Sequence, residues 1–336
     1  MADVVMRELV ERLKGAKRVA VFTHQRPDPD ALGSQAAAGW ILQALGAEEI
    51  YLMQFGEAPA PYRFLLEGGP WEVGTWGSEW AGSSGGAVDT ILIVDTCTYN
   101  QLEPAAGFLK AERGKVVAID HHLTRDEVGP VIVADTKAAA CVEILWELAK
   151  EAGVAMRAPL AEALMCGLVA DTGWFRFDSV TRRTHEMAAA LAGIANVPRI
   201  YERLSQGETK AKLALMERAL ASVRWACEDR FGCMVLRQKD FAEAGATQSQ
   251  TEGLVDLPMM VGSVEVAGLV TEMADGRVRG SLRSKHGVDV NVIANELGGG
   301  GHAKAAGFRL EGPIAGAVEQ VIAAVGRGIG NAGRGS

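Results

Sequence analysis

VVAIDHH, residues 116–122, runs four apolar side chains, Val116 to Ile119, straight into Asp120, His121 and His122. A core strand gains nothing from ending on three polar groups that must each find a partner, so the trio argues for a site rather than for packing. The same arrangement occurs twice upstream. Arg18-Val19-Ala20-Val21-Phe22 runs into THQRPDPDALGS (Thr23 to Ser34), and Thr90-Ile91-Leu92-Ile93-Val94 runs into Asp95. Three strands thus deliver acids or histidines at their C-terminal ends. In an open parallel sheet those ends converge on one crevice, the place where α/β proteins bind ligands.

From Lys17 to about Ala190, apolar strand-like runs alternate with helical stretches, the pattern of a parallel sheet flanked by helices. Strands are predicted at Arg18 to Phe22, Ile50 to Gln54, Thr90 to Val94, Val116 to Ile119 and Val131 to Ala134. Helices are predicted at Leu32 to Leu45, Ala138 to Glu151 and Leu160 to Val169. The Gly/Ser/Trp-rich stretch from Gly68 to Val88 reads as a long surface excursion. A charged helical segment, Arg199 to about Trp225, reads as a connector. Beyond it come a strand at Phe231 to Leu236, a hairpin turning at Ala274-Asp275-Gly276, a helix at Val288 to Leu297, a glycine-rich segment from Gly298 to Gly307, and a last helix over roughly Ala315 to Val325. The expected architecture is an α/β parallel-sheet domain over residues 1–195, a helical connector over 196–228, and a smaller α+β domain over 229–336.

A chain of 336 residues is long enough for two cores. Its net charge of −8 excludes a broad non-specific surface for long nucleic-acid duplexes, which needs a basic face. The five cysteines (Cys97, Cys141, Cys166, Cys227, Cys233) are scattered and form no C-x-x-C pair, as in a reduced, cytoplasmic protein. MADVVMRELVERLKG reads as an amphipathic helix rather than a signal peptide, and no run of about 18 apolar residues predicts a membrane span.

His24, Asp28 and Asp30 lie on a loop stiffened by Pro27 and Pro29, which lowers the entropic cost of aiming both acids into the crevice. A lone D-x-D is ordinarily a turn or a helix cap. Joined by Asp95, His121 and Asp171, from GLVADTGWF, it becomes a set of four carboxylates and two imidazoles. Four carboxylates in one crevice repel one another and raise their own pKa values unless cations are bound, and two divalent ions balance them. The mixed oxygen and imidazole set fits Mn²⁺ better than Mg²⁺, with Co²⁺ and Fe²⁺ as alternatives, and no thiolate argues for structural zinc. A helix starting between Ala31 and Ser34 would aim free amides at the same crevice.

Four glycines in a row usually make a linker, but Gly298 to Gly301 follow a predicted helix and run straight into His302. They do not fit a P-loop. Gly299, Gly300 and Gly301 would let backbone amides approach a phosphate, with His302 and Arg283 as a clamp. Arg176, just past the fourth motif, is a weaker candidate for substrate contact. Lys304, Arg279, Lys285, His185, His286 and the tryptophans Trp71, Trp76 and Trp80 read as surface or packing groups.

THQRPDPDALGS, IVDT (Ile93 to Thr96), IDHH (Ile119 to His122) and LVADTGWF (Leu168 to Phe175) resemble, in order, the four motifs of the DHH family of phosphoesterases. GSLRSKHGVDVNVIANELGGGGHAKAAGF resembles the motif of the DHH-associated domain of the first subfamily. The resemblance spans essentially the whole chain and implies a binuclear, usually manganese-dependent phosphoesterase. It implies His24, Asp28 and Asp95 on one metal and Asp30, Asp95, His121 and Asp171 on the other, with Asp95 bridging. It also implies Asp120 orienting an imidazole and His122 beside the reacting phosphate. Within the family the chain is similar to the nano-RNase and pAp-phosphatase type, so the expected substrates are short oligoribonucleotides and 3′-phosphoadenosine 5′-phosphate. A stand-alone cyclic di-AMP phosphodiesterase is the alternative enzyme, and a nucleotide sensor without turnover the alternative of another class. A homodimer through the first domain is implied by the resemblance alone.

Overall fold

The computed structural model describes residues 2–77, 80, 87–285 and 287–332. The chain divides into two units, Met1–Gly207 and Glu208–Ser336. The first holds α1 (Ala2–Lys14), β1 (Arg18–Phe22), α2 (Pro29–Ala44), β2 (Glu49–Gln54), β3 (Glu72–Thr75), β4 (Thr90–Val94), α3 (Ala106–Ala111), β5 (Val116–Asp120), β6 (Val131–Ala134), α4 (Cys141–Glu151), α5 (Ala158–Asp171), α6 (Arg182–Ala192) and α7 (Val197–Ser205). Its six strands form one sheet in the order β3-β2-β1-β4-β5-β6, with every pair parallel.

That order contains the physical reason for a site. The chain builds outward from β1 to β3, then returns to place β4 on the other side of β1. Loops leaving β1 and β4 therefore diverge to opposite sides and leave a crevice at the C-terminal ends of the two strands. β1, β4 and β5 are apolar and buried on both faces, as central parallel strands must be.

On one face, α2, α4 and α5 pack around two glycines. A Cβ on Gly33 would fall 2.7 Å from the Ala163 carbonyl oxygen. One on Gly167 would fall 2.5 Å from Asp30 Oδ1 and 2.7 Å from Val142 Cγ1. The helices approach this closely because neither residue has a side chain.

Two expectations need revision. The 68–88 stretch is not all surface excursion, because β3 runs parallel to β2 as the sheet's edge; residues 78–79 and 81–86 of that stretch lie outside the described residues. Trp76 and Trp80 pack against Phe22 and Phe108, and Trp71 packs edge-on to Trp40. The segment expected as one connecting helix contains two, α7 and α8 (Lys210–Ala221), and the division between the units falls between them.

The second unit continues with β7 (Arg224–Ala226), β8 (Phe231–Leu236), α9 (Gln238–Ala244), β9 (Val266–Glu272), β10 (Val278–Ser284), α10 (Val290–Glu296), β11 (Gly300–His302), β12 (Ala305–Leu310) and α11 (Ile314–Ala332). Its mixed sheet has the order β11-β12-β10-β9-β8-β7, with only β8 and β9 parallel. Val318, Val321 and Val325 of α11 pack with Phe231, Val270 and Phe308 of the sheet in one core. Leu215 of α8 packs with Met234, Leu236 and Leu269 in another. Among the described residues no helix is long and apolar enough to cross a membrane.

The close packing at Gly33 leads to an expected outcome. Gly33→Ala should lower the stability of the metal-free protein by about 1–3 kcal/mol, because the obstacle is backbone that cannot swing aside. Thermal unfolding measures it; an unchanged Tm would mean the helices separate without cost.

Candidate metal centre

β1 hands the chain to Thr23 and His24, β4 hands it to Asp95, and β5 ends on Asp120 with His121 and His122 next. Neighbouring strands thus bring three sets of polar groups to one edge of the sheet. Asp95 is in the left-handed region, φ 62°. Aspartate tolerates this conformation better than most residues, but it still costs on the order of 1–3 kcal/mol and persists only where the surroundings hold it. One of those holds is its own amide, which donates to the Ile119 carbonyl at 3.0 Å. The buried carboxylate then lies between two imidazoles, with Oδ2 3.5 Å from His24 Nε2 and Oδ1 3.5 Å from His121 Nε2.

Asp28 caps α2, its Oδ1 accepting from Ala31 N at 2.9 Å. The helix thus begins earlier than expected, at Pro29, and one of its amides is taken by the chain's own carboxylate. Asp30, one residue into the helix and buried, is held from across the crevice. Its Oδ2 accepts from Cys141 N at 2.7 Å and its Oδ1 from Val142 N at 3.3 Å, the first amides of α4. A buried carboxylate at the positive end of a helix is favourably placed. Asp171, the last residue of α5, puts Oδ2 3.4 Å from His121 Nε2.

The six side chains fall into two clusters, His24 with Asp28 and Asp95, and Asp30 with His121 and Asp171. Within each, one ligand atom per residue lies within 4.8 Å of the others. Asp95 stands between them. Asp95, His121 and His122 meet the same limit.

The imidazoles are oriented from behind. His121 Nδ1 is 3.3 Å from the Ala138 carbonyl oxygen, which leaves Nε2 facing the carboxylates. Asp120, fully buried, accepts at Oδ1 from His121 N, His122 N and, at 2.7 Å, His122 Nδ1. His122 is the most exposed of the three histidines, and its Nε2 is left free for a substrate atom. Two contributors were not expected: the Ala138 carbonyl, which no side-chain pattern reveals, and Gly167, whose position inside an otherwise helical run was the available signal. Cys97 is buried.

Electrostatics show what the cluster lacks. Burial pushes the Asp30 carboxyl up, crowding by the surrounding protein does the same for the more exposed Asp28, and the Asp95 charge adds to both. Burial also takes Asp171 up to about 7, against the pull of His121. It would raise Asp95 too, but the pull of the His121 and His24 imidazoles beside it outweighs it and holds that carboxyl low. Burial disfavours charge on His24 and His121, yet the Asp95 carboxylate prevails, raising His24 and taking His121 to about 9. His122 is raised chiefly by its hydrogen bond to Asp120. Without cations these groups therefore hold their protons to a higher pH than usual. Asp95 Oδ1 has no hydrogen-bond partner despite being buried, an open valence beside two imidazole nitrogens. The donor set and this unpaired oxygen fit divalent cations.

In the second unit, Arg283 of β10 is opposite Ala305 of β12, and Ala305 is opposite His302 of β11. One sheet row thus carries both groups, two strands and about 10 Å apart. Arg283 Nε also lies 3.8 Å from Asp256 Oδ1. The glycine run is not a linker: its last two residues, Gly300 and Gly301, open β11. A Cβ on Gly299 would fall 2.1 Å from the Gly307 carbonyl oxygen, and one on Gly301 2.6 Å from that of Ala305. The Gly301 amide donates to Asn291 Oδ1 at 2.8 Å. These glycines serve close packing on β12, and at least this amide is already engaged. Arg176 is exposed over the Phe177 ring, Lys285 Nζ donates to the Val261 carbonyl, and His185 stacks on Phe175. His286 lies outside the described residues.

Residues 18–168 match the model of the DHH family N-terminal domain, and residues 233–330 that of the DHHA1 domain. The chain is 31% identical to the bifunctional oligoribonuclease and PAP phosphatase NrnA of Thermus thermophilus, over 95% of this chain and 93% of the relative. It is 26% identical to the protein of the same name from Bacillus subtilis, over 90% and 92%. Among solved structures, an exopolyphosphatase-related protein from Bacteroides fragilis superposes with a TM-score of 0.83 over 97% of both chains at 19% identity, a likeness of fold.

The raised pKa values set a pH dependence. His121, raised from its ordinary 6.5 to about 9, stabilises the metal-free fold below about pH 6.5, and this contribution is lost as pH rises through 9. Asp171, raised from 3.8 to about 7, likewise favours the fold at low pH, an advantage lost as pH rises through 7. Both changes run in one direction. The stabilisation given by saturating Mn²⁺ should therefore be larger at pH 8.5 than at pH 6, and binding at pH 8 should release protons. Thermal shifts and calorimetry in buffers of different ionisation enthalpy test this; a shift larger at pH 6 contradicts it.

Proposed function

The chain belongs to the DHH family of phosphoesterases, and from that premise we propose that it hydrolyses short oligoribonucleotides and 3′-phosphoadenosine 5′-phosphate with two divalent cations, Mn²⁺ foremost. The observation that carries this reading is the pair of adjacent clusters with buried Asp95 at their junction, a member of the first whose Oδ1 lies 3.5 Å from His121 Nε2 of the second and has no hydrogen-bond partner among the described residues. The names of the two relatives, similar over nine-tenths of the chain or more, support the substrate class.

His24, Asp28 and Asp95 would hold one cation, and Asp30, Asp95, His121 and Asp171 the other. The cations would lower the barrier by stabilising negative charge on the phosphoryl oxygens. The chain's own groups do the rest. Asp120 holds His122 by Nδ1 and favours its protonated form, so Nε2 can give a proton to the departing oxygen. Ala138 fixes the His121 tautomer. Asp30 is locked by the α4 amides and needs no reorganisation when charge develops. In the second unit, Arg283 and His302 supply a cation and a donor for a phosphate or base edge of the substrate.

Three outcomes test this. Mn²⁺-loaded protein should cleave the linear dinucleotide pApA faster than cyclic di-AMP, measured side by side, and should release phosphate from 3′-phosphoadenosine 5′-phosphate. Faster cleavage of cyclic di-AMP would make it a signalling phosphodiesterase, and bound metal with no turnover would make it a sensor. Asp95→Asn should abolish hydrolysis, whereas His122→Ala should lower kcat about 10²- to 10⁴-fold with metal content unchanged. Arg283→Ala should weaken dinucleotide cleavage without loss of metal; loss of both metals would contradict that division of labour.

A further inference from the structure

We infer that Glu143 and Arg183 are positioning residues for the cluster of Asp30, His121 and Asp171, acting through the backbone of residues 135–142; the inference rests on the metal reading of that cluster. Glu143 lies in the first turn of α4 and is wholly buried. Its Oε2 accepts from Ala139 N at 3.2 Å, and its Oε1 is buried with no hydrogen-bond partner. A buried carboxylate with one oxygen unpaired is costly to keep, and an apolar residue would pack at that position without the cost. Its countercharge is Arg183 of α6, whose Nε lies 3.7 Å from Glu143 Oε2.

Arg183 also reaches the start of the same segment. Its Nη1 donates to Asp135 Oδ2 at 2.5 Å. Asp135 in turn orders the residues after it. Its amide donates to the Asp120 carbonyl at 3.0 Å, its Oδ1 accepts from Lys137 N at 3.0 Å, and its carbonyl accepts from Ala138 N at 3.0 Å. One guanidinium therefore ties down Asp135 at the front and Glu143 at the back of the connection between β6 and α4.

Between those ties the segment makes three contacts with the cluster. The Ala138 carbonyl meets His121 Nδ1, and the Cys141 and Val142 amides hold the two oxygens of Asp30. If the segment relaxes, the His121 ring and the Asp30 carboxylate lose orientation together. Among the described residues the His24, Asp28 and Asp95 cluster receives no hydrogen bond from the segment, which makes the effect selective for one cation.

The test is calorimetric titration of the metal-free full chain with Mn²⁺, a readout that does not depend on turnover. Arg183→Gln and Glu143→Gln should each weaken one of the two sites about 10- to 100-fold, the range expected when a partner that orients ligands is removed. Arg182→Gln, at an exposed neighbour paired with Glu186, should leave both sites within two-fold of wild type. In a His121→Ala background the affected site is already lost, and the remaining site should bind Mn²⁺ equally with or without Arg183→Gln. Arg183 is partly exposed, so its variant carries the test if Glu143→Gln fails to fold. Affinity within two-fold of wild type in Arg183→Gln, or a loss that spreads to the remaining site, would overturn the inference. Wild-type protein that binds two Mn²⁺ but cleaves no phosphoester would instead defeat the proposed function and leave this one standing.

Discussion

The structure depends on solving one electrostatic problem, the confinement of Asp28, Asp30, Asp95 and Asp171 in a single crevice at the end of a parallel sheet. Asp30 and Asp95 are buried there, so their repulsion is poorly screened and each of their charges must be met by a specific group. The Asp30 carboxylate takes the first amides of α4, Asp28 takes an amide of α2, and Asp95 takes two imidazoles. What these groups leave unbalanced appears in the raised pKa values of His121 and Asp171. A fold selected for stability alone would have no reason to gather such a set. The crossing between β1 and β4, the left-handed Asp95 and the glycine contacts of α2 with α5 are all consistent with a crevice built to hold cations.

Much of this is legible in the chain. The strand ends can be read because each couples an apolar run to an abrupt polar residue, and parallel strands of that kind leave only one edge at which such residues can gather. His24, Asp28, Asp30, Asp95, His121 and Asp171 are brought together in the structure as two clusters. The features that escape the sequence do so for physical reasons. β3 escapes because Glu-Val-Gly-Thr has no apolar run, and an edge strand with one partner needs none. The connector resembles one helix because charge and periodicity continue across the break. Gly207 and Thr209, whose side chain caps α8 by accepting from Lys212 N, are the signals that end one helix and start the next.

The backbone's part in the centre is not legible at all. No pattern of residue types announces that the Ala138 carbonyl faces His121, or that Cys141 and Val142 give their amides to Asp30. The glycine run teaches the same lesson from the other side. Composition suggests freedom, while the structure puts Gly299 and Gly301 so close to β12 that any side chain would collide with backbone. In both places the decisive quantity is distance between main chains, which a single sequence encodes only indirectly.

The central claim is that two cations share Asp95. Metal-free protein reconstituted with Mn²⁺, freed of excess and analysed by elemental mass spectrometry, counts them directly. The account predicts two per chain in the wild type and fewer than two in Asp95→Asn. A single ion in the wild type, or two retained in the variant, would contradict it.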